Sequence, residues 1–301
     1  VPELPEVETV ARGLARRILG RTIAHVTLHR RDIVHGNGGP IERLVGRHIA
    51  DVRRCGKQIR ILLRDESKTA RRRSCRGAQS PSELVMYVHL GMTGRLIVID
   101  SAEPLERHTH LVIALVGQDA QLRFCDPRRF GGIWLVDETA VGNESTRSAA
   151  WQGRRLPPIG ADPLKISLPA LGAALARKRQ IKALLMDQLP ISGLGNIYCD
   201  EALHRAGIHP LTPAADLDPE AVRRLRLAIR HVLAEAIRAG GSSISDYRDA
   251  NNARGTFQTR HRVYGRQGQA CRTCGGIIER FVVAGRGTHV CPTCQPLKGR
   301  K

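Results

Sequence analysis

Residues 271–294 read CRTCGGIIERFVVAGRGTHVCPTC, two C-x2-C pairs separated by sixteen residues. Two residues between cysteines let both thiolates turn onto one ion. Four thiolates close a tetrahedral zinc site with no coordination position left for chemistry. Cys271, Cys274, Cys291 and Cys294 are therefore assigned as ligands of one structural Zn2+; an iron–sulfur cluster would use a more clustered spacing. The apolar run IIERFVVAG between the pairs predicts a hairpin that carries the second pair back to the first. A piece this small depends on its metal to fold. Arg286, flanked by glycines at the expected turn, is either a solvated charge or a reach toward a phosphate.

Upstream of this appendage the period is helical. In residues 219–239, Val222, Leu225, Ile229, Val232 and Ile237 form a stripe. Asp218 can cap that helix, Pro219 suits its first turn and Gly240 ends it. Residues 168–188 and 195–207 predict two or three more helices. Before residue 138 the pattern changes to short runs: RTIAHVTLHR, KQIRILLR, LVMYVHLGMTGRLIVID, HLVIALV, QLRFCD and GIWLVDE. Their alternating or continuous apolar character predicts strands. No periodic helix separates them, so an antiparallel sandwich or barrel fits better than a parallel α/β sheet. A helix over 5–19 precedes them. Pro5 stands in its first turn, Glu6 and Glu8 near its positive end, and Val7, Val10, Leu14 and Ile18 at helical spacing. Residues 66–82, with five basic side chains and almost nothing apolar, read as a solvated loop or extra phosphate contact. Residues 140–165 read as a linker.

The 301-residue chain is long enough for two modest domains. Its 48 Lys and Arg against 28 Asp and Glu give a formal charge of +20, which reports on partners rather than fold. Nucleic acid or an anionic membrane surface is the expected counterpart. No run of about 18 apolar residues exists to span a bilayer, and no secretory pattern is visible at the amino terminus. A cytosolic, nucleic-acid-facing protein is expected. The scattered thiols Cys55, Cys75, Cys125 and Cys199 read as inert.

Six strings occur in one order along the chain: PELPEVET, HLGMTG, CDPRRFG, GLGNIYCDEALHRAGIHP, VYGRQGQACRTCG and the terminal cysteine pairs. Together they resemble the formamidopyrimidine-DNA glycosylase family over nearly the whole length. The resemblance implies an α+β multidomain fold: an N-terminal β-sandwich with flanking helices, then a helix–two-turn–helix module and a zinc finger. The corresponding bounds are 1–140 for the catalytic sandwich, 141–165 for a linker, 166–265 for the helix–two-turn–helix domain and 266–301 for the zinc finger. It further implies a bacterial, cytoplasmic base-excision repair enzyme acting as a monomer on double-stranded DNA. Such an enzyme excises 8-oxoguanine and formamidopyrimidines, then nicks the abasic site by β,δ-elimination.

The same resemblance implies roles for single residues. Pro2 is the amine nucleophile and Glu3 handles protons, with Glu6 supporting them. Lys57 in RCGKQIR assists elimination, and Arg286 grips phosphate and aids the second elimination. Met92, Arg128 and Phe130 fill the space left by the everted nucleotide; composition alone would make Met92 and Phe130 core residues. His108, Arg177, Lys178, Lys182 and Asn196 are phosphate contacts. Pro2 can act only as a free amine, since an amide nitrogen has lost its lone pair to resonance. Val1 is therefore expected to be an initiator removed from the mature chain, written as valine from a GUG codon.

Three departures from this reading remain open at the level of sequence. A paralogue that binds damaged DNA without cutting is one, favoured if Val1 stays. A preference for oxidised pyrimidines, as in the endonuclease VIII branch, is another, although that branch usually carries glycine where Leu4 stands. A zinc-ribbon transcription module would explain the cysteines but not the amino terminus. Residues 242–258 occupy the position of the loop that covers the everted base, and nothing in them states which lesion it accepts.

Overall fold

A computed structural model describes residues 2–65, 83–137, 153–243, 247–250 and 252–297. Val1, the basic stretch 66–82 with Cys75, and residues 138–152, which include the first part of the expected linker, lie outside the described residues. The chain divides into two units. The first takes Pro2, Glu6–Pro157 and the described part of Ile244–Arg254; the second takes Glu3–Pro5, Pro158–Ser243 and the chain from Gly255 onward.

In the first unit the helical spacing at the amino terminus produces α1 (Leu4–Ile18), which turns Val7, Val10, Ala11, Leu14 and Ile18 into the core. Among the described residues nine strands follow: β1 (Ile23–Leu28), β2 (Val34–Gly36), β3 (His48–Cys55), β4 (Gln58–Arg64), β5 (Leu84–His89), β6 (Arg95–Asp100), β7 (Thr109–Leu115), β8 (Ala120–Cys125) and β9 (Gly132–Asp137). They form a four-stranded antiparallel sheet, order β1-β7-β8-β6, and a five-stranded sheet, order β2-β9-β5-β4-β3. Ile59, Ile61 and Leu63 of β4 join Leu111, Ile113 and Leu122 of the other sheet in one core. Leu62, Val85, Tyr87, Trp134 and Val136, one residue out of phase, form a smaller cluster on the opposite face. Strands covered on both faces lose their alternation, which is why β5 reads as a continuous apolar run.

One pairing departs from the antiparallel expectation: β2 runs parallel to β9, with Val34, His35 and Gly36 opposite Ile133, Trp134 and Leu135. Its residues VHGNGG carry no strand signal because glycine is what the contact requires. Gly36 has φ +111°, and a Cβ there would lie 2.0 Å from the Leu135 carbonyl oxygen. Tyr247 and Ala250 also belong to this unit's core. The Tyr247 hydroxyl donates to the Glu6 carbonyl at 3.2 Å, and Ala250 packs where a Cβ on Gly13 would stand, 2.8 Å away.

In the second unit α2 (Leu168–Leu175), α3 (Ile181–Leu185), α4 (Asn196–Ala206) and α5 (Pro219–Arg238) share one apolar cluster, which also receives Leu4. Asp218 caps α5 as its sequence predicts, accepting from Ala221 N at 2.7 Å, with Pro219 in the first turn. The hairpin β10 (Glu279–Val283) and β11 (Arg286–Val290) turns through Ala284 and Gly285, both with positive φ. A two-residue turn of that hand matches the twist of the strands it joins. Among the described residues no helix is long and apolar enough to cross a membrane.

Candidate active site

The amino terminus supplies the first functional side chain of the second unit. Glu3 is buried, 4% exposed, and its carboxylate lies at the start of α4. Ile197 N donates to Oε1 at 3.0 Å and Tyr198 N to Oε2 at 3.4 Å. Those N–H groups belong to the first turn of a helix and have no partner within it, so a carboxylate is what they favour. The fit also explains Gly195 in GLGN. A Cβ there would stand 2.4 Å from the Glu3 carboxyl carbon. Pro2 is buried in the first unit.

In the first unit Lys57 follows Gly56 (φ +57°) in the turn between β3 and β4. Its charge acts on His89, the first residue of HLGMTG. Burial first, then Lys57 and Arg154, pull the His89 pKa down to about 4. The ring is therefore neutral near pH 7, and Nδ1 accepts from Gly91 N at 3.0 Å. Between pH 6.5 and about 4 the unfolded chain binds a proton that folded His89 does not, so stability falls as pH drops through that window. We expect this one residue to account for about 2 kcal/mol of acid destabilisation. Urea unfolding at pH 7 and pH 4.5 checks it: His89→Asn, which keeps an acceptor but cannot titrate, should lose correspondingly less than the parent.

Three loops of the first unit meet at Asp126, which is wholly buried. Its Oδ1 accepts from the Thr93 hydroxyl at 2.6 Å, and its Oδ2 from Gly131 N at 2.8 Å. Asp126 N donates to the His108 carbonyl at 3.1 Å, and the Asp126 carbonyl lies 2.9 Å from His110 Nε2. Thr93 Oγ1 also accepts from Arg128 N at 3.3 Å. This hub presents Met92, Arg128 and Phe130, each more than a third exposed, with the Arg128 guanidinium 4.6 Å above the Phe130 ring. Exposed apolar side chains at 38% and 49% do not behave as core residues. His108 is exposed on a left-handed backbone, φ +68°. Behind the hub, the Arg154 guanidinium donates to the Gly131 carbonyl and to His35 Nε2. Asp126 has a local signal, an Asp-Pro turn start; Thr93, its partner 33 residues upstream, has none.

Arg177 and Lys178 are exposed on the stretch between α2 and α3. Arg286 is exposed as the first residue of β11, paired with Val283 across the turn. Lys182, expected among the phosphate contacts, is a correction. It is 0% exposed, with Nζ 2.7 Å from Asp200 Oδ1 and 2.8 Å from the Thr288 hydroxyl. No surface of that ammonium is left for a phosphate. Asn196 is half-buried and uses its side-chain amide on the Gly287 carbonyl, 2.9 Å away.

The four cysteine sulfurs lie within 4.8 Å of one another. Cys274 and Cys291 are 3.4 Å apart, Cys271 and Cys294 3.9 Å. Bonds of about 2.3 Å to a tetrahedral zinc put sulfurs about 3.8 Å apart, so the set fits the ion. His204 Nε2, on α4, is 3.5 Å from Cys271 Sγ, and with its proton on that nitrogen it donates to the thiolate from outside the ligand set. Sequence reasoning had no reason to select it.

Domain families match the chain in three parts. They are the formamidopyrimidine-DNA glycosylase N-terminal domain over residues 1–133, the H2TH domain of the same glycosylase over 159–248, and a zinc finger found in FPG and IleRS over 268–297. A formamidopyrimidine-DNA glycosylase of Thermus thermophilus is 42% identical over 300 residues, covering 98% of each chain. One from Brevibacillus brevis is 40% identical, covering 98% of this chain and 99% of its own. The crystal structure of MutM (Fpg) from Thermus thermophilus superposes with a TM-score of 0.76 at 39% identity, covering 99% of this chain and 100% of its own. That of Lactococcus lactis Fpg in complex with DNA containing an abasic site superposes with a TM-score of 0.79 at 31% identity, covering 98% and 100%. With the cysteine cluster and the full-length match together, the chain belongs to the formamidopyrimidine-DNA glycosylase family.

Proposed function

We propose that this chain removes oxidised purines, 8-oxoguanine and formamidopyrimidines, from double-stranded DNA and then cleaves the abasic site by β,δ-elimination. The observation that carries the reading is Glu3. It is a carboxylate directly following the residue that would offer a secondary amine, buried yet fixed by two N–H donors. In the proposed reaction the Pro2 nitrogen, as a free amine, attacks C1′ of the damaged nucleotide and the base departs. An α-amino group titrates at about 8, so a useful share is neutral near pH 7, unlike an ordinary lysine. Glu3 takes up the proton that the attacking amine sheds and passes it to the deoxyribose ring oxygen as the ring opens and an iminium forms, while the departing base takes its proton from water. Loss of a C2′ proton then expels the 3′ phosphate, assisted by Lys57. A second elimination expels the 5′ phosphate, which Arg286 grips. Met92, Arg128 and Phe130 fill the stack that the everted nucleotide leaves, where apolar and planar groups recover part of the unstacking cost. His108, Arg177, Lys178 and the start of α4 at Asn196 add phosphate contacts, so binding weakens with salt. The zinc holds the hairpin and takes no part in bond making.

Borohydride trapping tests this on a duplex with one 8-oxoguanine opposite cytosine, using protein without an amino-terminal tag. The expected result is a covalent adduct whose peptide map places the DNA on Pro2. Tight damage-dependent binding with no adduct would instead make the chain a reader of damage that does not cut.

A further inference from the structure

We propose that Lys182 is a positioning residue for Arg286, holding the strand that presents it; the inference rests on the reading of Arg286 as the arginine that serves the second elimination. Lys182 stands on α3 with its ammonium wholly buried. This ammonium donates to the Thr288 hydroxyl at 2.8 Å and the Gly287 carbonyl at 3.2 Å, and pairs as an ion with Asp200 Oδ1 at 2.7 Å. Thr288 passes the connection on, its hydroxyl donating to the Arg286 carbonyl at 3.0 Å. Asn196 donates to the same Gly287 carbonyl. Asp200 closes the set from α4, its Oδ2 accepting from His289 N at 2.9 Å.

Four consecutive residues of β11, Arg286 to His289, thus each have a polar group fixed by α3 or α4, directly or through one hydroxyl. Among the described residues this strand has a single strand neighbour, β10, in a two-stranded sheet. A short hairpin turn is otherwise among the more mobile places in a chain, and an arginine on it would sample many positions. Buried ion pairs seldom add net stability over apolar residues of the same volume; their attested use is to fix one arrangement. Placing Lys182, Asp200 and Thr288 together therefore fixes where the Arg286 backbone begins, and so where its guanidinium can reach. Catalytic groups held even about 1 Å out of place lose large factors in rate.

The test uses the full-length zinc-loaded protein and a duplex with a preformed abasic site, following β- and δ-elimination products separately. Lys182→Met with Asp200→Asn removes both charges, leaves neither buried alone and keeps an acceptor for His289 N. We expect it to slow δ-product formation about tenfold while zinc content is retained and β-elimination is little changed. Combined with Arg286→Ala it should add nothing to the loss from Arg286→Ala alone. Thr288→Val, which leaves the Lys182–Asp200 pair intact, guards against poor folding of the double variant. It should lower the δ-to-β ratio about threefold, the worth of one modest hydrogen bond. Either variant giving the parental ratio, while Arg286→Ala loses δ-product, overturns the inference. Parental behaviour from Arg286→Ala would remove the reading of Arg286 and this inference with it.

Discussion

Glu3→Gln is expected to slow excision of a formamidopyrimidine or 8-oxoguanine base about a thousandfold, the middle of the range for a positioned proton donor. The substitution is nearly isosteric, so Gly195 still accommodates it. Its amide oxygen can accept from Ile197 N as the carboxylate does. The NH2 group, however, would face Tyr198 N, donor against donor, and lose the longer of the two contacts. Loss of one such capping bond costs about 1 kcal/mol, which shifts a melting temperature by a few degrees and cannot produce a thousandfold rate effect. The change in rate therefore reports the missing proton. On a duplex with a preformed abasic site the base has already gone and the sugar presents an aldehyde, so strand cleavage should fall much less. Single-turnover assays on the two substrates separate these outcomes. Equal losses on both would mean that Glu3 serves the fold of α4 rather than the departure of the base.

Removal of zinc should undo the hairpin while leaving the helices of the second unit largely folded. The metal binding energy of a small finger, about 10–16 kcal/mol near pH 7, is in effect its folding energy. Apolar burial adds little here: the cluster around the site consists of Val263, Ile278, Cys271 and Cys291, with Cys294 partly buried against it. Two of the four buried members are themselves ligands. Cys274 is exposed, which gives a chelator an entry to the ion. The effect should also travel inward. Without an ordered β11, Lys182 loses Thr288 and Gly287 and keeps only Asp200, so α3 and α4 become less stable than α5. Hydrogen exchange read by mass spectrometry before and after chelation tests the order. Residues 279–290 should lose protection first and almost completely, α3 and the end of α4 next, and α5 least. Unchanged protection of β10 and β11 would show that the apolar cluster holds the hairpin without the ion.

The sites differ in how plainly they could be read along the chain. The four zinc ligands carry their meaning in their spacing, because two residues between thiols already dictate a shared ion. The cap and stripe of α5 are equally local, and Asp218, Pro219 and Gly240 mark its ends without help from any other segment. Met92, Arg128 and Phe130 needed the resemblance, since a methionine or phenylalanine looks the same in sequence whether it fills a core or stands at the surface. Lys182 misled, because basic residues cluster at 177–182 in a basic chain, and nothing nearby says that only the last of the run turns inward.

What the amino-acid sequence determined by itself are the properties set within a few residues: helix faces and ends, strand periodicity, the existence of the hairpin, the metal ligands and the adjacency of Pro2 and Glu3. What only the tertiary structure decided are the partners of buried polar groups. Lys182 meets Thr288 from 106 positions away, Glu3 meets Ile197 from 194, Thr93 meets Asp126 from 33, and β2 meets β9 in parallel. A periodic pattern states which face of an element is apolar. A buried charge must find its compensating group wherever packing brings one within hydrogen-bonding distance, and separation along the chain carries no record of that distance.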